Sequence, residues 1–169
     1  MIINKNKVNI LILHDIRSTQ NVGAMFRTAD AVGIKKIFLT GYTSAPVDRF
    51  GKKRNDIAKS ALGAEESMEW ESKKYLIPLI KKLKKEGYLV IAIEQDENSI
   101  DYKKVSARGG PVFDWKGSLV FILGTEVTGI PKNILNKCDV VVEIPMKGKK
   151  ESLNVSVACG VVLFRILNV

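Results

Sequence analysis

Three loops that follow apolar segments make the first candidate ligand site. They cover residues 95–98, 124–129 and 145–151, and the last two contain glycine or proline. Glycine lets a backbone approach a ligand closely, so the N–H and C=O groups of these loops can bind the edge of an adenine. The ring itself can be sandwiched by three apolar side chains, Ile144, Met146 and Leu153. No G-x-G-x-x-G motif follows a strand and no Walker P-loop is present, which excludes the common nucleotide cradles.

A basic segment forms the second candidate site. Beside Phe50 and Gly51 stand four cations within six positions, namely Arg49, Lys52, Lys53 and Arg54. Such a cluster is typical of a phosphate-contacting loop, and a solvated charged loop is the alternative. The whole chain has 27 Lys and Arg against 18 Asp and Glu, a net charge of +9. That excess favours a polyanionic partner such as nucleic acid.

Composition bounds the class of protein. The 169 residues, 46% hydrophobic and 27% charged, are expected to form a single globular domain over 1–169. No apolar run approaches the roughly 20 residues that span a bilayer, and no signal peptide precedes the first strand, so we expect a cytoplasmic protein. Cys138 and Cys159 lack metal-ligand spacing and are interpreted as reduced core residues, and no metal site is predicted. His14, the only histidine, is left out of the chemistry.

Hydrophobic periodicity predicts an alternation of strands and helices. Strands are expected at 8–14, 37–39, 69–71, 88–93, 119–123 and 140–144, and helices at 22–32, 75–85, 132–136 and 155–167. Residues 42–66 are predicted to be a long loop with at most one short helix, and 109–111 a turn. This order indicates a three-layer α/β/α domain with a mostly parallel sheet. It places Asn21 and Arg27 at the carboxyl edge of the strands, where ligands bind in such folds.

The last helix is apolar on nearly every face. We expect Ser152 to be its N-cap, since a serine hydroxyl can accept a first-turn N–H. A helix of this kind must be covered on all sides, which indicates either a central core helix or a helix shared between the core and a partner subunit.

Three ordered segments resemble the signature motifs of one enzyme family. NVGAMFRTADAVG at 21–33, FILGTEVTGIP at 121–131 and IPMKGKKESLNVSVA at 144–158 are similar to those of SpoU-type (TrmH-like) RNA ribose methyltransferases of the SPOUT superfamily. The resemblance implies that S-adenosyl-L-methionine binds in a bent shape, with contacts at Gly124, Ile144 and Leu153. Met146, Glu94 and Thr125 complete the predicted cofactor-binding set. It also implies a carboxyl-terminal trefoil knot, which the residue pattern alone does not indicate.

The resemblance further implies catalytic roles. Arg27 occupies the position to which the family assigns deprotonation of a ribose 2′-hydroxyl. Because a guanidinium is effectively always protonated, we prefer that Arg27 binds the neighbouring phosphate and stabilises the developing alkoxide. The other signature polar positions are Asn21, Glu126, Ser152 and Asn154, and for Glu126 and Ser152 a scaffold role is the alternative. The predicted RNA-binding set joins Arg27 and the four loop cations to Lys147 and Lys149.

Substrate and assembly are also expectations from the resemblance. Residues 87–102 and 59–70 are most similar to enzymes that methylate a D-loop guanosine of tRNA, while ribosomal RNA and the tRNA wobble ribose are alternatives. Other classes are an RNA-binding module without turnover and a base-nitrogen methyltransferase. No separate RNA-binding domain is expected. The family implies a homodimer in which the last helix meets its own copy or the helix from Val22 to Val32 of the other subunit, placing Arg27 near the partner's cofactor.

Overall fold

The computed structural model describes residues 7–106, 113–115 and 117–169, so the predicted turn at 109–111 lies outside the described residues. The described residues contain nine strands, and seven of them form one sheet in which every neighbouring pair is parallel. In chain order the strands are β1 (Ile10–His14), β2 (Lys36–Thr40), β3 (Glu69–Lys73), β4 (Leu89–Ile93), β5 (Ile100–Asp101), β6 (Val105–Ser106), β7 (Phe113–Asp114), β8 (Leu119–Leu123) and β9 (Val140–Glu143). The sheet order is β3-β2-β1-β8-β4-β9-β5, and β6 pairs with β7 separately.

Six α-helices and one 3-10 helix connect the strands within the described residues. The α-helices are α1 (Thr19–Ala31), α2 (Asn55–Ala61), α3 (Ala64–Ser67), α4 (Leu76–Lys85), α5 (Lys132–Leu135) and α6 (Val155–Leu167), and the 3-10 helix covers Tyr102–Lys104. The two short helices α2 and α3 correct the prediction of a long loop with at most one helix at 42–66. They are separated by Leu62 and Gly63, which take positive φ angles of 53° and 95°.

The central strands are continuously apolar because the sheet is covered on both faces. Alternate residues of β1 enter two different cores: Leu11 and Leu13 pack with α1 and α6, and Ile10 and Ile12 pack with α4 and α5. The predicted three-layer α/β/α arrangement is therefore confirmed. The strand at 69–71 is also confirmed as an edge strand, extended to Lys73. The knot stays a prediction.

Helix α6 buries only part of its apolar surface. Cys159, Val162, Leu163 and Ile166 lie in the core, where they face α1 and the sheet. On the opposite side a row at helical spacing is open to solvent, with exposed fractions of 50% at Val157, 37% at Val161 and 42% at Phe164. We call these three residues the α6 stripe. Gly160 beside it lies 3.9 Å, measured from a hypothetical Cβ, from the Thr28 methyl of α1.

The N-terminus of α6 differs from the prediction. Asn154, not Ser152, is the N-cap: the Asn154 side-chain oxygen accepts the Ser156 N–H at 2.8 Å. Asparagine and serine are comparable caps, and the helix begins at Val155, directly after the asparagine. None of the described helices has the length and apolarity to cross a membrane.

Candidate functional site

A cavity of about 400 Å³ opens at the carboxyl edge of β4, β8 and β9. All three loops predicted from sequence contribute to its wall, and the loop at 124–129 contributes every one of its residues. Nine predicted site residues line the cavity, namely Glu94, Gly124, Thr125, Glu126, Ile144, Met146, Ser152, Leu153 and Asn154. Its size is within the range of small-molecule sites in proteins. The structure thus brings together residues that are up to 60 positions apart, from Glu94 to Asn154.

Two glycines allow the loop after β8 to fold back tightly. A Cβ on Gly124 would lie 2.6 Å from an Ile130 side-chain carbon and 2.9 Å from the Gly129 carbonyl group. Gly129 has a positive φ of 65°, and its N–H donates to the Thr125 carbonyl at 3.0 Å. Both positions therefore require glycine, one for space and one for backbone conformation.

The Glu94 carboxylate stabilises this loop by hydrogen bonds to backbone N–H groups. Its Oε2 accepts the Ile130 N–H at 2.8 Å and its Oε1 accepts the Gln95 N–H at 2.9 Å. A Cβ on Gly129 would come within 2.2 Å of Oε2, so the carboxylate fills the space that the glycine leaves. Glu94 lines the cavity as predicted, but the bonds of its carboxylate are to protein backbone.

The loop after β4 is tied to its neighbours by residues that the sequence analysis did not select. Gln95 Nε2 donates to the Glu151 carbonyl at 2.7 Å, joining this loop to the loop after β9. Lys132 Nζ donates to Asp96 and Glu97, each at 2.8 Å. The Lys132 hydrogen bond holds the pKa of Asp96 below its usual value. No local sequence signal identifies these links, because each joins residues that are distant in the chain.

Glu126 binds the N-terminal segment of α1. Its Oε2 accepts the Arg17 N–H at 3.0 Å, and its Oε1 accepts the Ser18 N–H at 3.1 Å and the Asn21 Nδ2 at 3.0 Å. Burial alone would raise the pKa of Glu126, but these hydrogen bonds outweigh it and hold the pKa below its ordinary value. Bonds of this kind are what a scaffold role for Glu126 requires, and the backbone N–H groups that it accepts belong to Arg17 and Ser18, just before α1 begins at Thr19.

A chain of polar side chains continues from Glu126 to α6. Asn21 Oδ1 accepts from Asn154 Nδ2 at 3.3 Å, and Asn154 Oδ1 accepts from both the N–H and the hydroxyl of Ser156, at 2.8 and 2.7 Å. We call Glu126, Asn21 and Asn154 the polar brace. The brace connects the loop after β8 to the N-termini of α1 and α6, the three elements in which the signature polar residues lie.

Ser152 and Arg27 stand apart from the brace. Ser152 lines the cavity with an exposed side chain. Arg27 is exposed on α1, outside the cavity wall, and the described part of the chain supplies it no side-chain hydrogen bond or ion pair. Helix α1, which carries Arg27, packs beside α6.

The six other predicted RNA-binding cations separate into two groups. Lys53 is paired with the buried carboxylate of Glu65 at 3.0 Å and with Glu66 at 2.5 Å. Arg54 is paired with Asp56 at 3.2 Å. Arg49, Lys52, Lys147 and Lys149 are exposed, and no ion pair is made by any of these four within the described residues. The structure therefore gives Lys53 and Arg54 structural partners that the sequence analysis did not anticipate.

The remaining reactive groups are buried or partly buried. Burial raises the pKa of the Cys138 and Cys159 thiols to about 12, consistent with their interpretation as packing residues. Burial lowers the pKa of His14, against the opposite effect of Asp15, and His14 Nδ1 contacts the Thr40 hydroxyl at 2.9 Å. In the residues that the structure describes, no group of three His, Cys, Asp or Glu side chains is placed to hold a metal ion.

Comparisons with known proteins agree with this geometry. Residues 9–164 match the profile of the SpoU rRNA Methylase family. The chain is 33% identical over 155 residues to the 23S rRNA (guanosine-2'-O-)-methyltransferase RlmB of Ralstonia nicotianae, covering 92% of this chain and 56% of that protein. The chain thus spans little more than half the length of such relatives.

Solved structures share the fold. The AdoMet-bound rRNA methyltransferase from Sinorhizobium meliloti superposes with a TM-score of 0.76 at 24% identity, over 94% of this chain and 55% of that one. A structure from work on the 2-OH methylation of C/U34 on tRNA gives a TM-score of 0.75 at 19% identity, over 95% of this chain and 94% of that one. At these identities the likeness concerns the fold alone.

Proposed function

Because the chain belongs to the SpoU rRNA Methylase family, we propose that it is an S-adenosyl-L-methionine-dependent enzyme that methylates a ribose 2′-hydroxyl of RNA. The observation that carries the proposal is the convergence of all three motif segments on one cavity and its polar brace. Relatives that bear 23S rRNA ribose methyltransferase names support the same reaction class.

The cavity fits the proposed cofactor. Ile144, Met146 and Leu153 supply apolar surface for a flat ring, and the glycine-containing loop after β8 offers backbone close to the cavity. S-adenosyl-L-methionine supplies a methyl group on a sulfonium, and its transfer requires no metal. Calorimetry with S-adenosyl-L-methionine and S-adenosylhomocysteine tests this assignment. Failure of both to bind a folded protein at near-millimolar concentration would contradict it.

Arg27 would act on the RNA. An attacking hydroxyl must lose its proton and must be held in line with the methyl group, so the protein has to position the ribose and stabilise the charge that develops on its oxygen. A guanidinium can hold a phosphate through two parallel hydrogen bonds, and that phosphate or solvent can accept the proton. The exposure of Arg27 and its lack of an ion pair within the described residues leave it available for this contact.

We further propose that the working form is a homodimer that covers the α6 stripe. Three half-exposed apolar side chains in a row, Val157, Val161 and Phe164, are the kind of surface that a partner subunit buries. Because α1 packs beside α6, a two-fold interface through the stripe would also bring α1 close to the partner subunit. Arg27 of one subunit would then reach the cavity of the other, which explains why it lies outside the cavity of its own chain.

Mixing two impaired variants tests the shared site. In an equal mixture of Arg27→Ala and Asn154→Ala, random exchange makes half of the dimers mixed, and each mixed dimer has one intact site. The intact sites should add about a quarter of the wild-type activity, which lifts the mixture above the mean of the two separate variants. If each chain is self-sufficient, the mixture stays at that mean. A stable and active monomer in light scattering at low micromolar concentration would also contradict the proposal.

For the target nucleotide, two kinds of RNA are proposed as candidates. The local resemblance of 59–70 and 87–102 favours a D-loop guanosine of tRNA, whereas the curated relatives favour a guanosine of 23S rRNA. Incubating the enzyme with unmodified tRNA and rRNA, followed by digestion to nucleosides, distinguishes these substrates. The same digest separates a 2′-O-methyl product from a base-methyl product, and absence of any product would favour a binding module.

A further inference from the structure

The turn at 48–52 presents a large aromatic side chain to solvent. Phe50 is 78% exposed, the highest value among the large apolar residues of the described chain. An exposed phenylalanine adds little to the core, and single exposed apolar residues are common on protein surfaces. Three further observations distinguish this one, namely the rigidity of its turn, the charges around it and its place in the fold.

The turn is held by a dense set of local hydrogen bonds. Asp48 Oδ1 accepts the N–H groups of Phe50 and Lys52, at 2.8 and 2.9 Å. The Asp48 N–H donates to the Lys52 carbonyl at 2.9 Å, and the Gly51 N–H donates to the Asp48 carbonyl at 3.0 Å. Gly51 takes a positive φ of 78°, which favours glycine. Phe50 is therefore held outward before any partner binds, which lowers the entropic cost of a contact with it.

Two cations near Phe50 form no ion pair within the described residues, while the Asp48 carboxylate of the turn accepts backbone hydrogen bonds. The Arg49 guanidinium lies 4.7 Å from the centre of the Phe50 ring, a cation–π contact, and the exposure of the ring leaves its remaining surface open. Lys53 and Arg54 are bound to carboxylates, so Arg49 and Lys52 carry the free charge at the tip. An aromatic ring flanked by free cations is the arrangement with which proteins bind single-stranded nucleic acid. A protein partner would instead require a contiguous apolar patch, and the neighbours of Phe50 in sequence are charged residues and glycine.

The loop that carries the turn starts at the same edge of the sheet as the cavity. It leaves the carboxyl end of β2 at Thr40, and β2 neighbours β1 in a parallel sheet. Near the start of this loop the Tyr42 hydroxyl donates to Thr125 Oγ1 at 3.3 Å, and Thr125 is part of the cavity wall. The loop that carries Phe50 is thus anchored to the site at one end.

We propose that Phe50 stacks on an unpaired base of the RNA substrate while Arg49 and Lys52 contact flanking phosphates. The inference rests on the proposed function and adds to it a requirement for unpaired nucleotides near the target ribose. It does not depend on which RNA is methylated. Base stacking is sequence-tolerant, so the contact would select single-stranded structure rather than a particular base.

Binding of fluorescein-labelled RNA tests the proposal. The probes are single-stranded oligo(A) of 12 nucleotides and a blunt 12-base-pair RNA duplex, measured by fluorescence anisotropy with the full chain. Phe50→Ala should weaken oligo(A) binding by roughly 5- to 150-fold, the equivalent of about 1–3 kcal/mol of stacking, and should leave duplex binding unchanged. Phe50→Trp should keep the wild-type affinity. Arg49→Ala should lower the salt dependence of binding, because it removes a phosphate contact.

A matched control is Tyr75→Ala. Tyr75 is 63% exposed and has the Lys74 ammonium 5.2 Å from its ring centre, but it lies beyond β3 at the outer edge of the sheet. The Tyr75→Ala variant should bind oligo(A) with the wild-type affinity. Equal losses in the Phe50 and Tyr75 variants, an equal loss on the duplex, or no loss on oligo(A) would each overturn the inference. If oligo(A) binding is unaffected by Phe50→Ala while methyl transfer to RNA proceeds, the inference fails and the proposed function stands. Phe50-dependent binding with no methyl transfer to any RNA would instead refute the proposed function alone.

Discussion

The two ends of the Asn154 side chain can be tested separately. Its oxygen caps α6 by accepting the Ser156 N–H, and its nitrogen donates to Asn21 in the polar brace. Asn154→Asp keeps the capping oxygen and removes the donor. Asn154→Ala removes both. Aspartate is as good an N-cap as asparagine, and its charge is favourable at a helix N-terminus.

The expected magnitudes follow from these contacts. Asn154→Ala should cost about 1 kcal/mol for the lost cap, which lowers Tm by about 2–4 °C in a domain of this size. Asn154→Asp keeps the cap but places a carboxylate oxygen against Asn21 Oδ1, so its Tm should fall by less than that of Asn154→Ala. Asn21 cannot compensate by turning its amide, because its nitrogen is already directed at Glu126 and its oxygen faces position 154. We therefore expect the aspartate variant to lose about 2- to 12-fold in kcat/KM, the equivalent of one neutral hydrogen bond of about 0.5–1.5 kcal/mol.

Thermal melting and single-turnover methyl transfer measure the two effects. A double-mutant cycle with Asn21→Ala then shows whether the two asparagines act through each other. If Asn154→Asp keeps full activity, or if its loss adds independently to that of Asn21→Ala, the brace does not organise the site. A fall in Tm for Asn154→Asp equal to that of Asn154→Ala would contradict the capping argument.

Three further predictions concern other parts of the site. Gly129→Ala should lower the free energy of unfolding by at least about 1–2 kcal/mol, because residue 129 has a positive φ, and it should also weaken cofactor binding. Gly148→Ala is the control: position 148 has open space around it, so neither property should change. Urea unfolding measures the first property and calorimetry the second. Arg27→Ala and Arg27→Lys should both abolish turnover and leave the calorimetric cofactor affinity unchanged, since a lysine cannot replace a bidentate fork; an active lysine variant would exclude that role. The lowered pKa of Glu126 means that its stabilising contribution is present above the pKa of the unfolded carboxyl and is lost as pH falls through the lower folded value. Glu126→Gln should therefore be less stable than the wild type at pH 7, with a difference that shrinks in urea titrations at acidic pH.

Six of the seven strands of the sheet were predictable from sequence, the central ones because they must be apolar on both faces. The two-residue strand β5 was missed, because it lies in a polar stretch. An unbroken apolar run such as LVFIL at β8 predicts a buried strand, and the boundaries of the predicted strands agree with the structure to within about two residues. The short helices α2 and α3 were not predictable in the same way. Their 7 and 4 residues carry few apolar positions, and their separation depends on Leu62 in a left-handed conformation that leucine rarely adopts.

The candidate site was predictable as a set of residues but not as a set of contacts. Motif resemblance selected Glu126, Asn21 and Asn154, and the structure joins them by hydrogen bonds. The partner of each predicted residue depends on tertiary geometry. Lys53 pairs with the buried carboxylate of Glu65, and the N-cap of α6 is Asn154 rather than Ser152. Propensity treats serine and asparagine as nearly equal caps, so only packing decides between them.

The site joins residues that are far apart in the sequence, and this has a consequence for biosynthesis. Ile10 of β1 pairs with Val120 of β8, Glu126 binds Asn21 across 105 positions, and Asn154 reaches Asn21 across 133. A ribosome adding about 5–20 residues per second therefore leaves one side of β1 without its neighbour for several seconds. Contacts of such separation also slow folding, because the intervening chain must be ordered before they form. The nascent protein would expose one unpaired apolar edge of β1 until β8 has been made, and the candidate site, which also needs Asn154, would form later still.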